Sequence, residues 1–407
     1  MLEKRFSFRS WVTLGNLSGA QILTLILELS SSALWARYIV KEIYGQYQLV
    51  ISLMKMVSNF CLNGLAESLL ISAAKGYDGN LAKITQYKFL ATLLGSLVLL
   101  AGSFYYLNSH PAISVALWIV VFLFPFNELQ QIWVHWLRGK GKIGLVAGLD
   151  VLRASLILLV FGLLIFFNKI DLNTLLSVLL GTGAVFSLGM VIYAFRNRCN
   201  QMEDRGTIHY GFHATMATLL VGATLTDKII INHYLSIEDV AVYSIALLFP
   251  NQIKILYSIF NQIFIPKFSA AKDIRSAWQY LKPKFPIVLG IFLTIGIGGF
   301  VLMPVLIPLF FSDRYVQAVP YAQWLWLSLA VMVPATYLGN ILRAQKKVKF
   351  VYLFETANPL ILFFLFLILV RYGLWGMVIA RAIYYVNAGI FFVSFFRYYL
   401  AKENKTR

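Results

Sequence analysis

Apolar residues run in twelve long stretches that cover most of the chain: 11–36, 43–72, 84–107, 113–136, 146–167, 174–195, 211–235, 240–265, 285–308, 319–342, 350–370 and 374–399. A hydrocarbon core about 30 Å thick is crossed by about 20 residues of helix at 1.5 Å of rise each. Every stretch reaches that length. The runs are continuous rather than alternating at period two, which predicts helices and not the strands of a barrel. Short connections predict antiparallel neighbours, and the expected class is an all-α polytopic membrane protein with about twelve transmembrane helices.

Polar residues interrupt these runs at helical spacing. The second stretch carries Lys55, Asn59, Asn63 and Glu67 every four residues, and the eighth carries Asn251, Lys254, Ser258 and Gln262. The first adds Gln21, Thr24, Glu28 and Ser31; the fourth adds Glu128, Gln131, His135 and Arg138, echoed in the tenth by Thr336, Asn340 and Arg343. A charge at the centre of a lipid-exposed helix costs about 2.5–3.5 kcal/mol on insertion scales, so these faces must meet protein or water. They are expected either to line a hydrated cavity or to serve as helix-packing contacts. Asp150 and Arg153 stand three apart, the spacing of a local ion pair. Arg381 has no partner in its own helix and is the better cavity candidate, while Lys228 beside Asp227 lies near the outer end, where a lysine snorkels to water.

The two halves repeat. Tyr38, Glu42 and Tyr47 align with Tyr234, Glu238 and Tyr243; S-A-A-K at 72–75 recurs at 269–272; L-R-G-K-G-K at 137–142 faces L-R-A-Q-K-K at 342–347; and Asp150 falls opposite Glu355. The offset spans six helices, an even number, so the repeat is parallel about an axis along the membrane normal. The predicted organisation is an N-terminal six-helix lobe over 1–198, a polar linker over 199–210 and a C-terminal six-helix lobe over 211–407, with a cavity between the lobes.

The formal net charge of +18 is distributed unevenly: 23 Lys and Arg fall in the termini and the even-to-odd loops, five in the opposite loops and seven within the stretches. Basic loops stay cytoplasmic, so both termini are predicted to face the cytoplasm, and topology rather than nucleic-acid binding accounts for the charge. Trp11, Trp35, Trp133, Trp136 and Trp375 fall near predicted interfaces, and Trp278 marks a predicted interfacial helix between the eighth and ninth stretches. Cys61 in a helix and Cys199 in a loop form no disulfide framework. The first stretch is too long and too polar for a signal peptide and reads as an uncleaved helix.

Several motifs fail their context. G-K-G-K-I-G at 139–144 follows a membrane helix instead of a strand, so it is no dinucleotide fingerprint. His209 and His213 lack the further ligands of a metal site. There is no Walker motif, and no outer connection exceeds about a dozen residues, which leaves no room for an extracytoplasmic catalytic domain. No enzyme activity, metal or cofactor is expected.

The segment A-R-Y-I-V-K-E-I-Y-G-Q-Y-Q-L, the basic loop R-A-Q-K-K-V-K and the segment R-Y-G-L-W-G-M-V-I-A resemble the polysaccharide-biosynthesis flippases of the multidrug/oligosaccharidyl-lipid/polysaccharide exporter superfamily. The resemblance implies a bacterial inner-membrane carrier of O-antigen or exopolysaccharide repeat units on undecaprenyl diphosphate. Its partners would be that substrate, membrane lipids, and the polymerase and chain-length machinery. On this reading Lys55, Lys254 and Arg381 receive the diphosphate. Gln21, Glu28, Asn59, Asn63, Gln131, Asn251, Ser258 and Gln262 offer donors and acceptors to sugar hydroxyls. Asp150, Asp227 and Glu355 are the candidate coupling carboxylates. A drug or cation exporter of the same superfamily, or a membrane polysaccharide polymerase, are the alternatives.

Overall fold

The computed structural model describes residues 8–167 and 170–405; side chains are described from Gly19 to Glu403 except at 168–169, 217–218, 254–256, 258–260, 262–263, 266 and 348. Among the described residues every regular element is a helix. The chain divides into two compact units, Met1–Gly222 and Ala223–Arg407.

The first unit holds α1 (Phe8–Tyr38), α2 (Lys41–Asn59), α3 (Asn63–Ala74), α4 (Asn80–Tyr106), α5 (Pro111–Glu128), α6 (Gln130–Gly139), α7 (Ile143–Phe166), α8 (Leu172–Arg196) and α9 (Arg205–Thr218). A 3-10 segment, Leu219–Leu225, leads into the second unit. There follow α10 (Asp227–Tyr234), α11 (Ile237–Ala270), α12 (Ile274–Leu281), α13 (Phe285–Phe311), α14 (Val319–Ala344), α15 (Val348–Leu369) and α16 (Gly373–Lys405). Each of the twelve apolar stretches falls on one of these helices or on a broken pair. Nine helices among the described residues are long and apolar enough to cross a membrane, ten if the bent α2–α3 pair counts as one span. One of the nine, Lys349–Glu403, takes in both α15 and α16. As a straight helix its 55 residues would be about 80 Å long, far more than a bilayer needs, and the 3-10 turn Val370–Tyr372 divides it.

The breaks have local causes. Between α2 and α3 the axis turns by 62°. Leu62 there adopts left-handed backbone (φ 58°, ψ 45°), a conformation costing a non-glycine residue about 1 kcal/mol or more. Cys61 Sγ holds the corner by donating to the carbonyls of Val57 and Ala91 at 3.4 and 3.5 Å. α5 and α6 break at Leu129. The seventh stretch, read as one helix over 211–235, starts earlier and is cut by the Leu219–Leu225 segment, where Thr226 Oγ1 donates back to the Ala223 carbonyl at 2.8 Å.

α9 packs on α3 inside the first unit, and Leu65 N–H donates to Thr215 Oγ1 at 3.3 Å. Glycine permits the crossing: a Cβ on Gly64 would sit 2.3 Å from the Thr215 nitrogen, and one on Gly211 would sit 2.8 Å from the Leu65 Cα. The linker before α9 is strapped to the α3–α4 turn. Cys199 N–H donates to Asp78 Oδ2 at 2.8 Å, Asn200 Nδ2 to the Gly76 carbonyl at 2.8 Å, and Lys83 pairs with Glu203 at 2.5 Å. Asp204 caps α9, and the hydrogen bond from the Thr207 hydroxyl holds its carboxyl below the usual carboxylate range.

Both units have packed apolar interiors. Leu65, Leu69, Ile132, Trp136 and Ala194 meet in the first; Phe268, Phe292, Tyr337, Ile341 and Phe350 meet in the second. Trp35, Trp133 and Trp136 are buried in the first unit, so they are packing residues and not the interface anchors their positions suggested. Trp278 does lie on a short helix of its own, α12, capped by Asp273 and by the Glu403 carboxylate, which accepts from the Ile274 and Arg275 N–H groups at 3.3 Å.

Candidate functional site

A cavity of 760 Å³ opens within the first unit, walled by α1, α2, α5, α6, α7 and α8. Four predicted site residues meet there: Glu28, Lys55, Gln131 and Asp150. Arg153, His135 and Glu128 join them, with Trp35 and Tyr47 on the aromatic side, their rings edge to face at 4.8 Å. Glu28 lies within electrostatic reach of Arg153, Asp150 and Lys55. Yet among the described residues no ion pair joins these four, and the local Asp150–Arg153 pair expected from their spacing is replaced by another contact: Arg153 Nη1 donates to Gln130 Oε1 at 2.6 Å. The cavity therefore holds charges of both signs that are not closed on one another.

Behind its wall sits Lys88, fully buried at 0% exposure. Its ammonium donates to Asn63 Oδ1 at 2.6 Å, Glu128 Oε2 at 3.0 Å and Gln131 Oε1 at 3.3 Å. Those acceptors are the first residue of α3, the last of α5 and the second of α6, so one lysine gathers both helix breaks of the unit. A buried ammonium is retained only where each N–H finds an acceptor, and all three do here. Gln131 also donates to Glu128 Oε2 at 3.4 Å, so both its polar ends are engaged within the protein. Nothing in the sequence beyond its place inside an apolar stretch singled out Lys88. Gln130 was missed because its partner, Arg153, lies on another helix.

The other predicted residues are placed elsewhere. Gln21 is exposed on α1 and does not line the 760 Å³ cavity. Asn59 donates to the Lys55 carbonyl at 3.3 Å, a local contact. Asn63 serves Lys88. Asn251 lies half-buried on α11 and lines neither cavity. The side chains of Lys254, Ser258 and Gln262 lie outside the described residues.

A smaller cavity of 270 Å³ lies within the second unit and is lined by Arg381, Asn340, Arg343, Tyr257 and Tyr384 among others. Arg381 finds on other elements the partners it lacks on its own helix. It forms a buried ion pair with Asp227, donates from Nε to the Tyr243 hydroxyl at 2.9 Å, and from Nη2 to the Thr224 carbonyl at 3.2 Å. That carbonyl belongs to the 3-10 break, so the guanidinium fastens α10 and the broken turn to α16. Two predicted roles change accordingly: Arg381 and Asp227 are engaged with each other. Glu355 is likewise held, by Arg343 at 2.6 Å. Arg138 and Asp150 stand at the repeat positions of that pair, and Arg138 acts electrostatically on Asp150.

Comparison with known proteins places this architecture. Among solved structures the chain is similar to the lipid II flippase MurJ in its inward closed conformation, with a TM-score of 0.69, 14% identity, and 93% of this chain and 86% of that one covered. It is similar to an inward-facing MATE-family multidrug resistance transporter of the MOP superfamily, with a TM-score of 0.71, 14% identity, and 93% and 96% covered. A MOP superfamily transporter from Pyrococcus furiosus gives a TM-score of 0.62 at 15% identity, with 94% of each chain covered. At these identities the likeness is one of fold. No curated protein sequence matches the chain significantly. The model of the family described as polysaccharide biosynthesis protein matches residues 34–320, well over half of the sequence, and the chain belongs to that family.

Proposed function

We propose that this protein flips lipid-linked oligosaccharide, a sugar repeat unit on undecaprenyl diphosphate, across the bacterial inner membrane by alternating access. The observation that carries the reading is the 760 Å³ cavity of the first unit, lined by Lys55 and Arg153, neither of which forms an ion pair among the described residues. A diphosphate entering a region of low dielectric needs compensating cations, and cations already locked in contact pairs are poor receivers. Trp35 and Tyr47 offer apolar ring surface to a sugar, and Gln48 and Asn127, which also line the cavity, offer amide donors and acceptors. Membership of a polysaccharide biosynthesis family and a flippase-like fold agree with it.

Glu28 and Asp150 in the same cavity favour a second reading, export of an organic cation, as the likeness to multidrug transporters would suggest. Reconstitution separates the two. Proteoliposomes containing the protein should move a fluorescent undecaprenyl-diphosphate sugar between leaflets, Lys55→Gln should abolish this at unchanged folding, and Lys55→Arg should keep part of it. Equal transport by Lys55→Gln, or transport of ethidium instead of the lipid, would count against the flippase.

A further inference from the structure

We infer that Arg153 is the residue that grips the phosphate, through a guanidinium held open for an oxyanion. This rests on the carrier reading above and assigns its ligand to a side chain whose spacing suggested only a structural pair with Asp150.

Three observations carry it. The first is what Arg153 does not do. Five ion pairs are found among the described residues, and Arg153 is in none of them. Its Nη1 donates to Gln130 Oε1, a neutral amide, while its Nε is buried with no protein partner. An interior arginine whose bonded partner is uncharged lacks the contact ion pair that such a group ordinarily has.

The second is the seat built for it. Gly183 on α8 faces the guanidinium, and a Cβ there would lie 2.8 Å from Arg153 Nη2 and 2.6 Å from Asn127 Oδ1. Any larger residue would push the fork out of its place. Gln130 fixes one edge of the plane and Gly183 admits the other, so the ring of donors is oriented before a ligand arrives.

The third is the fit of chemistry. Guanidinium presents its N–H groups as a rigid fork matched to the oxygens of a phosphate, and paired N–H···O bonds of that kind are about twice as strong as neutral ones. Glu28 and Asp150 act on Arg153 electrostatically without contacting it. They steady the charge in the cavity without forming a contact pair, so an oxyanion need not first break one. Lys55 on α2, which lines the same cavity, supplies a second cation for the same group.

The test uses the full chain in nanodiscs with three probes: undecaprenyl diphosphate, the uncharged alcohol undecaprenol, and phosphatidylglycerol. The wild type should bind the diphosphate in preference to the other two. Arg153→Lys, which keeps the charge and loses the fork, should weaken diphosphate binding by about tenfold or more while leaving the thermal midpoint in place. Gly183→Ala should weaken it in the same direction by displacing the fork. Diphosphate binding unchanged in Arg153→Lys and Arg153→Gln would overturn the assignment while the carrier reading stands. Wild-type protein that prefers phosphatidylglycerol would make this a headgroup site and overturn it too. No preference for the diphosphate over undecaprenol would remove the carrier reading, and the assignment with it.

Discussion

Lys88 shows how much one side chain can organise. It is buried and meets Asn63, Glu128 and Gln131, each beside a helix break. Lys88→Met keeps the length of the side chain and removes its charge, leaving Glu128 unpaired at the edge of the core. Removing one partner of a buried pair costs about 3–5 kcal/mol. The thermal midpoint of the purified protein should therefore fall clearly in Lys88→Met, and Glu128→Gln, which still accepts from the ammonium, should fall less. Equal midpoints in all three proteins would show that the network holds nothing. At this scale the sequence was legible only in part. Polar spacing brought Glu28, Lys55, Gln131 and Asp150 to one cavity, because residues recurring every three or four positions share a helix face. It missed Lys88 and Gln130, the Gln130 partner of Arg153 and the Asp227 partner of Arg381, because these contacts join different helices and periodicity within one helix carries no information about them.

Among the elements, the long helices follow from apolar length, and the breaks do not. The α2–α3 corner turns on Leu62 in left-handed backbone, a conformation that glycine would announce and leucine conceals. The Leu219–Leu225 break contains a single glycine in an apolar run, which reads as helix until Arg381 is seen taking the freed Thr224 carbonyl. Arg381 thus binds a discontinuous helix to α16 by its charge and its geometry together. Arg381→Leu would leave Asp227 buried without a counter-charge, and should lower the thermal midpoint. Asp227→Asn combined with Arg381→Leu removes both charges and should recover part of the loss. A double variant no more stable than Arg381→Leu would mean that the ion pair is not what fastens α10.

For the whole molecule, the alignment of the two halves sets Arg138 and Asp150 opposite Arg343 and Glu355. Arg343 is bonded to Glu355, while Arg138 acts on Asp150 electrostatically with no contact pair among the described residues. Sidedness is a property of the basic residues, of which 23 fall on one set of loops and termini and five on the other. Reporter fusions after Arg138, Arg198, Lys272, Lys347 and Lys402 should read cytoplasmic, and those after Asn108, Lys169, Glu238, Asp313 and Arg371 external. Two successive loops reporting the same side would remove a span and break the even count on which a parallel repeat depends.

The central claim is that the chain carries lipid-linked sugar between leaflets, and the leaflet that holds the sugar in cells lacking this protein tests it most directly. Intact spheroplasts treated with a membrane-impermeant glycosidase or lectin report only outward-facing repeat units. Repeat units should accumulate, stay inaccessible until the membrane is permeabilised, and become accessible when the wild-type gene is restored but not with Lys55→Gln. Repeat units fully accessible from outside yet left unpolymerised in the deleted strain would contradict it and assign the missing step to polymerisation.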